Sequence, residues 1–419
     1  MTSKRMRFMR FAPLAALLAA AALSGCQKST PPAAVQMGTY RGVLTVPGGD
    51  LPFGFVLVQQ GPSVVGYLVN GPERLPLNEV KVSGAHLEIL MPGYENRLVA
   101  DANGPSLRGE VVLDKLGGKQ QHVPFQAELG QDYRFFPAAA SDTPSVAGRW
   151  AVTFTDDKGA TEKDVGEFTQ TQDVVTGTIL TDTGDHRYLA GQVHDGELYL
   201  STFDGAHVYL YKAKIDADGS SLDGDHWSGT AYHEKMTAAR DANAALPDAY
   251  SLTSMHGTQH FDFAFPDLAG NTVSSRDPQF RNKVMIIAIA GSWCPNCHDE
   301  AAFLEPLYRE YRPKGVEVVS LMFEHFGDFP HAAEAAQRFK QHYGIDYTTL
   351  IAGISDKDEA SKKLPMLDRV YGFPTTIFVD KKGVVRKIHT GFSGPATGDH
   401  YTQFTSEVKA TLDQLLAET

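Results

Sequence analysis

The sequence predicts a multidomain chain: a duplicated all-β N-terminal domain, arranged as a sandwich or a barrel, followed by a C-terminal α/β domain. Three observations carry this reading. The 419 residues leave room for two or three domains. From Gly38 onward, short alternating apolar runs are broken by Gly, Pro and Asn, and the pattern recurs about 110 residues later. Further on, the continuous apolar run Val284–Ala290 leads straight into Cys294-Pro295-Asn296-Cys297 and a helical pattern. A composition of 42% hydrophobic and 21% charged residues is that of a globular protein. The formal charge of −12 excludes a general nucleic-acid binder, which needs a basic surface. Three cysteines are too few for a disulfide scaffold or a four-cysteine zinc or iron–sulfur site.

Residues 1–25 read as an export signal. Lys4, Arg5, Arg7 and Arg10 precede Phe11–Leu23, an almost unbroken apolar run of 13 residues that is too short to span a bilayer. The run closes on Leu23-Ser24-Gly25-Cys26, which resembles the lipobox of bacterial lipoproteins. That resemblance implies lipidation of Cys26 and a periplasm-facing protein held to the membrane of the cell envelope by its lipid. Gln27, where an Asp would imply retention at the inner membrane, favours the outer membrane. Residues 26–37, rich in Pro, Ala, Ser and Thr, read as the lipid-anchored tether.

Two β modules follow, over 38–137 and 146–232. Gly38-Thr-Tyr40 matches Gly148-Arg-Trp150, and Val65-Gly66-Tyr-Leu68 matches Thr176-Gly177-Thr-Ile179. Gly84–Ile89 matches Gly196–Leu200, and Ser106-Leu-Arg-Gly109 matches Ser221-Leu-Asp-Gly224. The offsets of 110, 111, 112 and 115 drift as loop insertions would make them. Each copy has the length of roughly five or six strands. Tyr67, Tyr94, Trp150, Tyr188, Tyr209, Tyr211 and Trp227 either line a ligand cavity or fill the sheet interior, and alternation favours the interior. His186, His194, His207 and His226 lie in separate segments without metal spacing and read as turn or surface residues. The Ala-rich stretch from 231 reads as a short helix or connector, which makes 233–258 a linker.

Residues 259–419 carry the chemistry. Cys294 falls where a helix begins, and unpaired N–H groups and the helix dipole there stabilise a thiolate. Pro295 suits the first helical turn. Cys294 is then the nucleophile towards a partner disulfide and Cys297 the resolving thiol. Cys294-x-x-Cys297-His298 is also the attachment pattern of c-type haem, but that reading leaves the apolar strand and the later proline motif unexplained. Zinc on Cys294, Cys297 and His298 lacks a fourth ligand, and helix position suggests that His298 looks outward.

Eighty residues on, Gly372-Phe373-Pro374-Thr375-Thr376 opens an apolar strand that turns at Lys381-Lys382-Gly383. Together with Trp293-Cys294-Pro295-Asn296-Cys297, this segment resembles the thioredoxin superfamily, and within it the TlpA/ResA-like membrane-tethered thiol–disulfide oxidoreductases. The resemblance implies a thioredoxin-like α/β fold over 259–419 and a cis Pro374 facing the sulfurs. It also implies a Phe373 backbone that pairs with a bound strand, and Glu300 as a proton relay. The family's proline two residues beyond that glutamate is Ala302 here. Glu324 and His325 are weaker candidates at the same edge. Val316–Met322 and 347–351 read as strands, 332–343 and 402–416 as helices, and Phe261–Ser274 resembles the group's extra N-terminal hairpin.

The function that follows is a membrane-anchored thiol–disulfide oxidoreductase without a cofactor, in the reductase direction by family resemblance. Its partners are disulfide-containing client proteins and an external thiol electron donor, because the exported part holds no second cysteine pair. The competing reading is a partner-binding β-repeat protein with a regulatory redox domain.

Overall fold

The computed structural model describes residues 34–140 and 143–418, and all element counts refer to these. The export signal, Cys26 and residues 26–33 of the tether lie outside the described residues. Val35, at the end of the tether stretch, is buried against the first β module, and its N–H donates to the Gly84 carbonyl.

The choice between sandwich and barrel resolves to two barrels. In the first, eight antiparallel strands run from Gly38–Val46 to Lys119–Leu129, and these two pair to close the ring. In the second, Gly148–Asp156 pairs with Tyr232–Arg240, and Thr161–Thr171 with Val174–Thr181, so eight strands again close. A two-residue strand, Gly184–Asp185, hangs from the edge of Val174–Thr181. Closure removes the free edges that an open sheet would expose.

The four sequence matches fall on the first, third, fifth and seventh strands of the two rings. Four glycines explain why the matched residues are what they are. A Cβ on Gly66, Gly109 or Gly177 would lie 2.2, 1.9 or 2.1 Å from a carbonyl oxygen of the adjoining strand. Gly224, the partner of Gly109 in the repeat, would meet the Lys212 carbonyl at 2.0 Å. Strands cross too closely there for any side chain.

The two interiors differ. The first is apolar, centred on Phe53, Phe55 and Phe125, and its packing continues onto Phe203, Val208 and Leu210 of the second module. The second holds Trp150, Phe168, Val175 and Leu222 at one end. Along the same strands it turns polar, through Asp164, Tyr211, His226 and Glu234. Trp150 and Tyr211 fill the interior as expected, whereas Tyr67 is exposed.

Two expectations are corrected here. His226 is buried and bonded to Glu234 rather than at the surface. The stretch read as a linker from 233 is strand Tyr232–Arg240: Glu234, Met236 and Ala238 point inward at period two, and ring closure outweighs the helical preference of alanine.

The C-terminal domain is a five-stranded sheet in the order Thr348–Ile354, Val316–Glu324, Val284–Ala290, Thr375–Val379, Val385–Thr390. The first three are parallel, and Val284–Ala290, wholly buried, sits at the centre. Helices Pro295–Tyr311, Phe329–Tyr343, Lys357–Lys363 and Asp399–Ala417 complete the fold. The short hairpin Ala264–Pro266/Thr272–Ser274 precedes it. No helix among the described residues is long and apolar enough to cross a membrane.

Replacing Gly109 by Ala is expected to lower unfolding free energy by about 2 kcal/mol or more, since backbone must move to admit the methyl. The same change at Gly104, an open turn with φ of 65°, costs less. Urea titration of both variants checks this.

Candidate active site

The central strand delivers the chain to Gly291, and the turn that follows places Cys294 as N-cap of helix Pro295–Tyr311. Pro295 occupies the first helical position, where no donor is lost. Cys294 and Cys297 are joined in a disulfide, and the Cys297 N–H donates to Cys294 Sγ at 3.2 Å. In the reduced pair this N–H and the helix dipole favour negative charge on Cys294.

The neighbouring antiparallel strand brings the second motif alongside. The Phe373–Pro374 peptide bond is cis, and the Phe373 carbonyl oxygen lies 3.7 Å from Cys294 Sγ. Trp293 donates its ring N–H to the Phe323 carbonyl at 2.8 Å, stacks on His325 and meets Phe373 edge-on.

Two carboxyl groups are buried beside this motif. Glu300, three residues along the helix from Cys297, accepts a hydrogen bond from Thr376 Oγ1, and burial pushes its pKa up to about 7. Glu324 accepts from Ser292 N–H at 3.1 Å and Ser292 Oγ at 2.6 Å, and burial likewise pushes it up to about 7. Glu300 is therefore no solvated surface charge.

His298 corrects another expectation. It is 1% exposed, not outward-facing. Nε2 donates to the Ser292 carbonyl at 2.7 Å and Nδ1 accepts from Tyr343 Oη at 2.8 Å, while Tyr94 of the first barrel stacks on the ring at 3.8 Å. Burial pushes its pKa down to about 3, so the ring is neutral. Both nitrogens are engaged, which leaves none for a haem iron. Among the described residues no cluster of His, Cys, Asp and Glu could hold a metal ion.

The second barrel packs directly on this site, which sequence reasoning did not anticipate. Its Arg187 pairs with Glu73 of the first barrel at 2.9 Å, and forms ion pairs with Asp204 of its own barrel at 3.3 Å and Asp299 of the cysteine helix at 3.2 Å. Asp185 accepts from the Gly394 N–H at 2.7 Å, and the Asn296 amide both donates to the Asp185 carbonyl and accepts from its N–H. His186, His207 and Tyr209, expected at turns or in the barrel interior, line a cavity of about 210 Å³ together with Cys294, Trp293 and Phe373. The contacts between units link residues some 85 to 209 positions apart, and no local pattern in the chain announces them.

A helix-capping Cys-x-x-Cys facing a cis-proline loop at the centre of such a sheet defines a thioredoxin-like redox domain. A Redoxin family profile matches residues 242–401. The thiol–disulfide oxidoreductase ResA of Halalkalibacterium halodurans is 30% identical over 138 residues, covering 32% of this chain and 68% of that protein. ResA of Geobacillus kaustophilus is 27% identical over 130 residues, covering 31% and 66%. The chain thus spans about two thirds of the length of these relatives. Among solved structures, a secreted thiol-disulfide isomerase from Corynebacterium glutamicum aligns at a TM-score of 0.30 and 21% identity, over 42% of this chain and 96% of that one. Through its C-terminal domain the chain belongs to the ResA family of thiol–disulfide oxidoreductases.

The raised pKa of Glu300 has a thermodynamic consequence. Below the ordinary carboxyl range Glu300 is protonated folded or unfolded, and its burial carries no charge penalty. As pH rises through about 7 the folded state must hold a buried carboxylate, and that stability is lost. Glu300→Gln removes the penalty, so the variant is expected to match wild type near pH 4 and exceed it at pH 8 by roughly 3 kcal/mol. Denaturant titrations at the two pH values check the difference.

Proposed function

We propose that this thiol–disulfide oxidoreductase of the ResA type works as a reductase at the cell envelope, anchored through a lipidated Cys26. The observation that carries the chemistry is the placement of Cys294: helix N-cap, bonded to Cys297, its sulfur against the Phe373 carbonyl of the cis-proline loop. The Cys294 thiolate attacks one sulfur of a client disulfide, forming a mixed disulfide and releasing the other sulfur as a thiolate that takes up a proton. Cys297 then gives its proton to Glu300 and attacks Cys294 Sγ. The second client sulfur leaves as a thiolate and takes that proton, and the enzyme disulfide remains. Phe373 and Pro374 shape the groove that receives the client, while Trp293, Pro295 and Asn296 form its opposite lip. With two cysteines in the domain, the pair must be reduced again by an external thiol donor. The lipobox-like segment Leu23-Ser24-Gly25-Cys26 supports the envelope assignment.

Cys294→Ser is expected to abolish insulin reduction, and Cys297→Ser to accumulate a mixed disulfide visible by intact mass. The reduction potential of the Cys294/Cys297 pair, equilibrated against glutathione with Cys26 replaced by Ser, tests the direction. A value near roughly −270 mV fits a reductant, and one near about −120 mV overturns the direction in favour of an oxidant.

A further inference from the structure

The face of the thioredoxin-like domain that surrounds Cys294 is made by three loops, and one turn of the second barrel lies across all of them. Asp182-Thr183-Gly184 joins Val174–Thr181 to the short strand Gly184–Asp185. Thr183 sits so close to the cis-proline loop that a Cβ on Gly372 would lie 2.3 Å from its methyl group. A Cβ on Gly391 would meet the Thr183 backbone at 2.8 Å, and one on Gly184 would collide with the Asn296 amide at 2.1 Å. The turn is held from both sides: Tyr371 Oη donates to Asp182 at 2.7 Å, and the Gly394 N–H donates to Asp185 at 2.7 Å. The side-chain amide of Asn296, inside the Cys-x-x-Cys motif, makes two bonds to the Asp185 backbone and so ties the turn to the motif itself.

We propose that this turn occupies the client groove, so that the docked molecule exchanges disulfides with low-molecular-weight disulfides, and protein strands gain access only when the turn leaves. This rests on the oxidoreductase reading above and specifies its substrate class. With the turn in place, the space at Cys294 is a cavity of about 210 Å³ with polar walls that include His186, His207 and Lys357. A second cavity of about 280 Å³ shares His207, Tyr209, Trp293 and Pro295 with it. Both are smaller than the usual pocket for a drug-sized ligand, and a protein segment is larger than such a ligand. For a small disulfide R–S–S–R, the Cys294 thiolate breaks the S–S bond and releases one R–S⁻, which is protonated. Cys297 then displaces the second as R–SH equivalent, so two electrons pass from the dithiol to give two thiols and the enzyme disulfide.

The test uses the full chain with Cys26 replaced by Ser, reduced and mixed with bis(2-hydroxyethyl) disulfide or with insulin, following formation of the enzyme disulfide. Wild type is expected to react at least ten-fold faster with the small probe. Asp185→Ala, which loses the Gly394 bond, is expected to shift that ratio towards insulin by ten-fold or more, and Tyr371→Phe to shift it the same way by less. Should Asp185→Ala fail to fold, the wild-type ratio and Tyr371→Phe carry the test. Equal wild-type rates with both probes, or a ratio that neither variant moves, overturn the gate and leave the oxidoreductase reading standing. Reaction with neither probe overturns both.

Discussion

One guanidinium holds the three folded units in register. Arg187 is buried where the two barrels and the cysteine helix meet, with a carboxylate from each around it. Its backbone takes a left-handed φ of 54°, a conformation that costs a non-glycine residue about 1 kcal/mol or more. A buried charge cluster is a weak source of net stability, because desolvation consumes most of the attraction. What it fixes is geometry: an unpaired charge in this position is far more costly than a paired one, so the units are confined to arrangements that keep the cluster together. The electrostatics show the competition. Burial pushes Asp299 up to about 7 despite the adjacent cation, while Asp204, though buried, is held below the ordinary range by His207 and Arg187.

Around this point the duplication has been put to two uses. The first barrel spends its interior on phenylalanine packing and lends its rim, through Tyr94 and Glu73, to the redox domain. The second keeps an apolar floor and a polar upper end, where Tyr211 Oη bonds His186 and His226 bonds Glu234. The same eight-stranded frame, fixed by glycines at strand crossings, thus supports a structural unit and a unit that reaches the sulfurs.

What could be read from the chain was what is local. The run Val284–Ala290, the cysteine pair at a helix start and the proline before Thr375–Val379 each carry their pattern within a dozen residues, and the redox domain followed from them. The repeat was legible because four glycine-bearing segments recur in order, although eight strands per copy exceeded the five or six that length suggested. Tyr232–Arg240 reads as helix because its alanines favour helix in isolation, and one of its two pairing partners, Gly148–Asp156, lies some eighty residues earlier. His298 looked outward only so long as the first barrel was missing from the picture. Arg187, Asp185 and Asp299 carry no motif at all, since their meaning comes from residues brought together across domains.

The order of the units along the chain has a further consequence. Domains of a multidomain chain generally fold as units. The second barrel closes entirely within residues 148–240, so the surface that bears Thr183 needs no residue of the redox domain in order to form. Cys294 and Cys297, 4% and 1% exposed in the assembled chain, thus face a surface that forms without them.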